Sequence, residues 1–181
     1  MLMRRGFRRL SKRGNSGSAA VEFALIAPVF FLLLFAIFET GMLFFADMTL
    51  ENGVATTARL IRTGQAQTSA MTQAQYRTAL CNEISFLLSC NASQLYIDVR
   101  SFTNFNGANY PQALNNGTLN PNLNSWQPGG SSQVVGQNPI VLVRVFYEWP
   151  LFTPLFGAYF ANMAGNVRLL SASRAFKNEP F

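Results

Sequence analysis

Hydrophobic and polar positions alternate with three different periods along this chain, and each period predicts a different element. From Phe23 to Phe38 the run FALIAPVFFLLLFAIF is continuously apolar. After Glu39 and Thr40 the apolar character resumes through GMLFFA to Ala46. These 24 residues carry one charge. As a helix they span roughly 36 Å, enough to cross a hydrocarbon core of about 30 Å with some tilt. Leu43, Leu50, Val54 and Ile61 then recur at spacings of seven, four and seven, with Ala46 and Ala58 in the same stripe. Asp47, Glu51 and Arg62 fall on other faces. The pattern extends the helix as an amphipathic one. Glu51 and Gly53 weaken it locally, and Gly64 is its C-terminal stop. Ser18 to Thr63 is therefore one predicted helix of 46 residues. Pro28 should bend it or free one carbonyl. Ala20 and Ala24 form a small-xxx-small face, open to a neighbouring helix or to lipid.

Residues 70–89 place Tyr76, Leu80, Ile84, Leu87 and Leu88 at helical spacing, a second amphipathic helix whose stripe belongs to a core. Leu95, Ile97 and Val99 alternate with polar residues in a strand over roughly 94–103. Residues 104–138 are rich in Asn, Gly, Pro, Gln and Ser and predict a long surface loop. Phe105, Tyr110 and Trp126 are its aromatic anchors, tying it to its own domain or meeting a partner. IVLVRVFYEW from Ile140 to Trp149 is a strong strand, with Val141, Val143, Val145, Tyr147 and Trp149 on one face and Leu142, Arg144, Phe146 and Glu148 on the other. Pro150 ends it. A short helix over 154–163 and a strand from Val167 to Phe176, antiparallel to 140–149, complete the chain. The fold class is α+β: one long N-terminal transmembrane helix, then a small head with a second helix and an antiparallel sheet. The domains read as a basic leader over 1–17, the helix over 18–63 and a head over 64–181 containing the 104–138 loop.

Charge sharpens the membrane reading. Arg4, Arg5, Arg8, Arg9, Lys12 and Arg13 precede the apolar run, and the rest of the chain carries eight cations and eight anions. The sequence pI near 9.9 thus describes a tail and not a binding face, which removes the case for nucleic-acid binding. The cluster sets the N-terminus in the cytoplasm and everything after Ala46 outside it. A cleaved secretory signal fits less well, because the apolar run is long and no A-x-A-like site follows. A soluble core helix rarely carries FFLLLF flanked by cations on one side only.

Catalytic chemistry finds little here. The chain has no histidine, which excludes Ser-His-Asp and Cys-His arrangements and His-ligated metal. Its two cysteines cannot form a four-thiolate site. Outside the cytoplasm, Cys81 and Cys90 can pair and clamp the end of the second helix to the segment that follows. Asp98 and Glu148 could meet across the sheet, but read as solvated strand carboxylates. Asn91-Ala-Ser93 and Asn116-Gly117-Thr118 match the glycosylation pattern, as chance provides in an Asn-rich chain. No phosphate-cradling loop, metal cluster or nucleophile–base set is legible.

The order of residues before the apolar run is more specific. Gly17 is followed by Ser18, Ala19, Ala20, Val21, Glu22 and Phe23. A basic leader, a glycine, four residues, a glutamate and an aromatic before a membrane helix is the type IV prepilin processing pattern. No other glycine of the leader has a glutamate five residues on. A carboxylate in an apolar segment is costly unless paired. Cleavage after Gly17 would create an amino group on Ser18, and Glu22 of a neighbouring subunit could neutralise it and set register. Alternatively, Glu22 sits in the cytoplasmic headgroup zone.

GSAAVEFALIAPVFFLLLFAIFE, the Cys81 and Cys90 pair, the YEWPLFTPL segment and the ending LLSASRAFKNEPF together resemble the TadE-like family, pilin-like (pseudopilin) proteins of the tight adherence (Tad) system. The ending KNEPF, where many relatives have RNEPF, narrows the resemblance. It implies a pilin-like head, processing at Gly17/Ser18 by a prepilin peptidase, and a structural part in Flp-type adhesion pili. The implied partners are the membrane, other pilin subunits and Tad assembly proteins, with no cofactor, small-molecule substrate or catalysis. Assembly would rest on Glu22 and Phe23. The rival reading is an uncleaved, single-pass, membrane-anchored binding module. A secreted enzyme is the remote third.

Overall fold

A computed structural model describes residues 16–104, 106, 108–129 and 139–179. Residues 1–15 of the predicted 1–17 leader, Phe105, Gly107 and residues 130–138 of the predicted 104–138 loop, and Pro180 and Phe181 lie outside these residues. Helix α1 runs Ser16–Arg62 and contains Pro28. Pro28 has no N–H, so the Ala24 carbonyl lacks its helical donor. α2 is the short Gln65–Thr68 turn and α3 spans Gln73–Ile84. Strands follow at Leu95–Phe102 (β1), Leu114–Asn115 (β2), Thr118–Leu119 (β3) and Ile140–Pro150 (β4). A 3-10 turn at Pro154–Phe156 leads into α4, Gly157–Phe160, and then β5, Val167–Lys177. The class is α+β with one long apolar N-terminal helix, as the hydrophobic pattern predicts. The chain divides into two compact units, Met1–Ile37 and Phe38–Phe181, so the division falls inside α1.

In the second unit, one stripe of α1 becomes core. Ala46, Leu50, Val54, Ala58 and Ile61 are buried, as the heptad-like spacing predicts, while Leu43 is only partly so. They join Tyr76, Leu80 and Ile84 of α3 and the apolar face of the sheet in one cluster. Gly53 is required here: a Cβ at that position would come within 2.4 Å of the Ile84 side chain. The residue that weakens the helix locally is thus the one that lets α3 approach. Thr49 and Thr57 are buried on the same part of α1, and each hydroxyl donates to the carbonyl four residues back at 2.8 Å. The Thr57 hydroxyl also meets the Tyr76 hydroxyl at 3.0 Å. Burial pushes the Tyr76 phenol up to about 12, and the Thr57 hydrogen bond opposes that rise.

Both ends of the α-helical layer are finished by local chemistry. Gly64, left-handed at φ 78°, ends α1, and its N–H donates to the Ile61 carbonyl at 3.2 Å. The Arg62 carbonyl receives the Glu179 N–H at 3.0 Å, and Arg62 and Glu179 form a half-exposed ion pair at 3.0 Å. Asn178, beside it, is buried. Glu179 of the KNEPF ending therefore does a structural job, satisfying an orphan carbonyl at the end of α1. Thr72 opens α3 with a capping box closed by Gln75. The helix stops at Ile84, earlier than the 70–89 pattern predicts, and Leu88 is buried from a turn beyond it. Cys81 and Cys90 are joined in a disulfide, as predicted for a pair outside the cytoplasm.

The sheet has the order β1-β4-β5, antiparallel throughout. Its first face carries Leu95, Ile97, Val99, Val143, Val145, Tyr147 and Trp149, all buried. The second face corrects the sequence reading. Asp98 is not a solvated carboxylate but wholly buried, directly opposite Arg144, which is 7% exposed. Arg144 Nε donates to Asp98 Oδ2 at 3.2 Å and its Nη2 pairs with the same oxygen. Arg100 Nε reaches both Asp98 oxygens at 3.1 Å. Glu148 stays partly exposed and accepts the Tyr96 hydroxyl proton at 3.2 Å. It does not meet Asp98, because four strand positions separate Glu148 from Asp98's partner Arg144.

The long loop is organised by that ion cluster. Arg144 Nη1 donates to the Pro111 carbonyl at 2.8 Å, and its guanidinium lies 4.7 Å from the Tyr110 ring centroid. Arg100 Nη2 donates to the Asn122 carbonyl, and the Ser125 N–H to Asp98. Residues 125–127 run along β1 through hydrogen bonds to Val99 in both directions, which covers that sheet edge. Trp126 stacks 5.1 Å from Tyr76 and donates to the Met71 carbonyl at 2.9 Å. Tyr110 and Trp126 thus anchor the loop to its own unit. The sequence reading missed the hairpin β2–β3, turned by Asn116 and Gly117 at φ 49° and 75°. That Asn-Gly pair carries a type I′ signal, which the glycosylation match obscured.

Two outcomes follow. Labelling free thiols in the unfolded, unreduced protein should find none, and reduction should cost about 2–3 kcal/mol of head stability by denaturant titration. Asp98→Ala leaves Arg144 buried without a counter-charge, and should destabilise the head by roughly 3–5 kcal/mol, with Asp98→Leu/Arg144→Leu milder than the single change. A single change within 1 kcal/mol of wild type, on the order of a surface ion pair, would contradict this assignment.

Candidate functional site

The N-terminal half of α1 is where the sequence concentrates its motif. Residues 17–26 are all exposed, and none from 17 to 38 is buried. Phe23 is 67% exposed, and Leu25, Ile26, Phe30, Leu33, Ile37 and Phe38 are each more than half exposed. The helix is long and apolar enough to cross a membrane, and its most apolar window has none of its residues buried. That surface has no covering from its own chain among the described residues. In water it would be an aggregation hazard; in lipid it is matched.

Within this helix Ser18 and Glu22 are one turn apart. The Ser18 hydroxyl donates to Glu22 Oε1 at 3.1 Å, on an exposed face. Gly17 is helical, exposed, and a Cβ built there meets nothing within 4 Å. Neither packing nor a left-handed backbone asks for glycine at this position. Gly41 is open in the same way, so openness alone marks no site. Phe23 follows Glu22 and is exposed among the described residues. Cys81 and Cys90 belong to the second unit and serve its stability.

Glu39 is the residue that sequence reading passed over. It interrupts the apolar run and is only 4% exposed. Its carboxylate accepts the Phe152 N–H at 2.7 Å and the Thr153 N–H at 3.0 Å. These amides follow β4 and lie where no strand partner is left for them. The available signal was its position: a carboxylate inside an apolar stretch demands a partner. The consequence is that the 24-residue span read from hydropathy ends early. From Phe38 onward α1 belongs to the second unit, and Ala46 is wholly buried in its core. Among the described residues, no group of three or more His, Cys, Asp or Glu side chains gathers as a metal site would.

Neither a curated protein nor a solved structure matches the chain. Over residues 17–59, however, it matches the model of the TadE-like protein family, the family its sequence resembles.

Proposed function

We propose that the protein is a minor pilin or pseudopilin of a Tad (Flp-type) pilus, a structural subunit for pilus assembly and surface adhesion. It sits in the bacterial inner membrane with its N-terminus cytoplasmic and its head outside. A prepilin peptidase cuts between Gly17 and Ser18. Other pilin subunits and Tad assembly proteins then take up the mature helix. The observation that carries this reading is the coincidence, at the head of an uncovered apolar helix, of a helical glycine with no structural need and a glutamate five residues on, which Gly41 lacks. Glycine inside a helix costs about 1 kcal/mol relative to alanine. At Gly17 nothing in the fold returns that cost, whereas a peptidase needs a small residue at the scissile bond. Glu22, five residues on, heads a surface of exposed apolar side chains suited to packing against identical helices. The new Ser18 amine of one subunit is neutralised by Glu22 of its neighbour, which sets the register.

The second reading is an uncleaved membrane-anchored binding module of the same apparatus. The bond from Ser18 to Glu22 favours it, because it gives the carboxylate a partner within its own chain. Mass spectrometry of the N-terminus separates the two: a mature Ser18 supports the pilin, an intact Met1 the anchor. Gly17→Leu should leave a membrane-bound chain that retains the first 17 residues. Normal maturation of that variant would refute the cleavage site. Glu22→Ala should be inserted and cleaved normally, since losing a carboxylate only eases insertion. It should still co-purify roughly tenfold less of the other pilus subunits and fail to attach, because the neighbour's amine is left unpaired among apolar helices. Wild-type co-purification would return Glu22 to the headgroup zone.

A further inference from the structure

The second unit keeps a set of large apolar side chains out of its core. Phe44, Phe45, Phe86, Phe152, Leu155 and Tyr159 are each at least half exposed, Tyr159 at 82%. They come from three separate segments that the fold draws toward the first turns of α1 in this unit. The Phe45 and Phe86 rings meet edge to face at 6.2 Å. The Phe152 N–H is held by Glu39, and its ring stands 6.0 Å from Trp149. The 3-10 turn and α4 carry Leu155 and Tyr159 directly onward from that anchored point. Glu39 is buried with its carboxylate on backbone amides, and Glu83, beside Phe45 and Phe86, is exposed and able to turn to water. An exposed apolar collar of this kind is not ordinary protein surface.

Helix arithmetic says what covers it. A hydrocarbon core of about 30 Å takes ~20 helical residues. Residues 19–38 supply that number and end at Phe38, one residue before the buried carboxylate. Phe44 and Phe45 follow Phe38 by six and seven residues, roughly 9–10 Å of rise. Helical side chains lean toward the N-terminus and cover the preceding turn, which brings their rings back by about one turn, ~5 Å. They then fall in the headgroup zone, whose outer boundary lies ~5–7 Å beyond the core. Aromatic and leucine side chains without charge are what that zone retains.

We propose that this collar rests in the outer headgroup zone of the bilayer, so that the head is seated on the lipid surface rather than held clear of it. The proposal rests on membrane anchoring, not on entry into a pilus. It can be tested with the full chain in phosphatidylcholine vesicles. Single cysteines replace Phe86, Phe152 or Tyr159, all exposed, with a control at exposed Ser69 beyond α1. Each is nitroxide-labelled with the Cys81–Cys90 disulfide intact. Power saturation should show oxygen accessibility severalfold above that of a water-soluble nickel chelate at 86, 152 and 159, and the reverse at 69. Labels at the three positions that behave like the one at 69 would overturn the seating. So would spin–spin broadening that grows with protein-to-lipid ratio at these positions, since a second copy would then be the occupant. Failure of the protein to float with the vesicles would overturn the membrane anchoring itself, whereas floating protein with water-like labels would overturn the collar alone.

Discussion

One helix has to satisfy two solvents, and the rest of the structure is arranged around that demand. Up to Phe38, α1 buries nothing against its own chain. From Glu39 it has to present a face that water never sees. The change is made by residue size as much as by hydropathy. Ala46, Gly53 and Ala58 keep the buried side of the helix narrow, so that α3 and the sheet close on it, while Leu50, Val54 and Ile61 fill the space between. Threonines enter that face at low cost because each hydroxyl is returned to the helix's own backbone. The C-terminal tail completes the arrangement by donating a backbone N–H to the last turn of the same helix.

Three carboxylates show how differently one charge type is handled along such a chain. Glu22 is exposed and, among the described residues, accepts a hydrogen bond from the Ser18 hydroxyl, a weak partner that a positive charge could displace. Glu39 is buried but needs no cation, since backbone amides that have run out of strand partners satisfy it. Asp98 is buried most deeply and takes two arginines. The first stays on the surface. The second joins the start of the head to the segment after β4. The third turns a polar, irregular stretch into an ordered covering of the sheet, because Arg144 and Arg100 spend their remaining N–H groups on loop carbonyls.

Much of this was legible along the chain, and the residues that escaped share a physical reason. Periodicity alone placed α1, α3 and all three strands of the main sheet, because amphipathic faces and alternating strands are local patterns. The prepilin-type motif was equally local, a glycine and a glutamate at fixed spacing before an apolar run. The cysteine pair followed from a count of two and from the side of the membrane that the charge pattern predicts for them. What the sequence could not decide was the fate of single polar residues inside apolar stretches. Asp98 looks solvated until β4 places Arg144 opposite it. Glu39 looks like a break in a membrane span until residues more than a hundred positions away supply its amides. Gly53 looks like a flaw in a helix until Ile84 is packed against it. Burial of a charge or a close approach depends on partners brought in by tertiary structure, and no one-dimensional period carries that information.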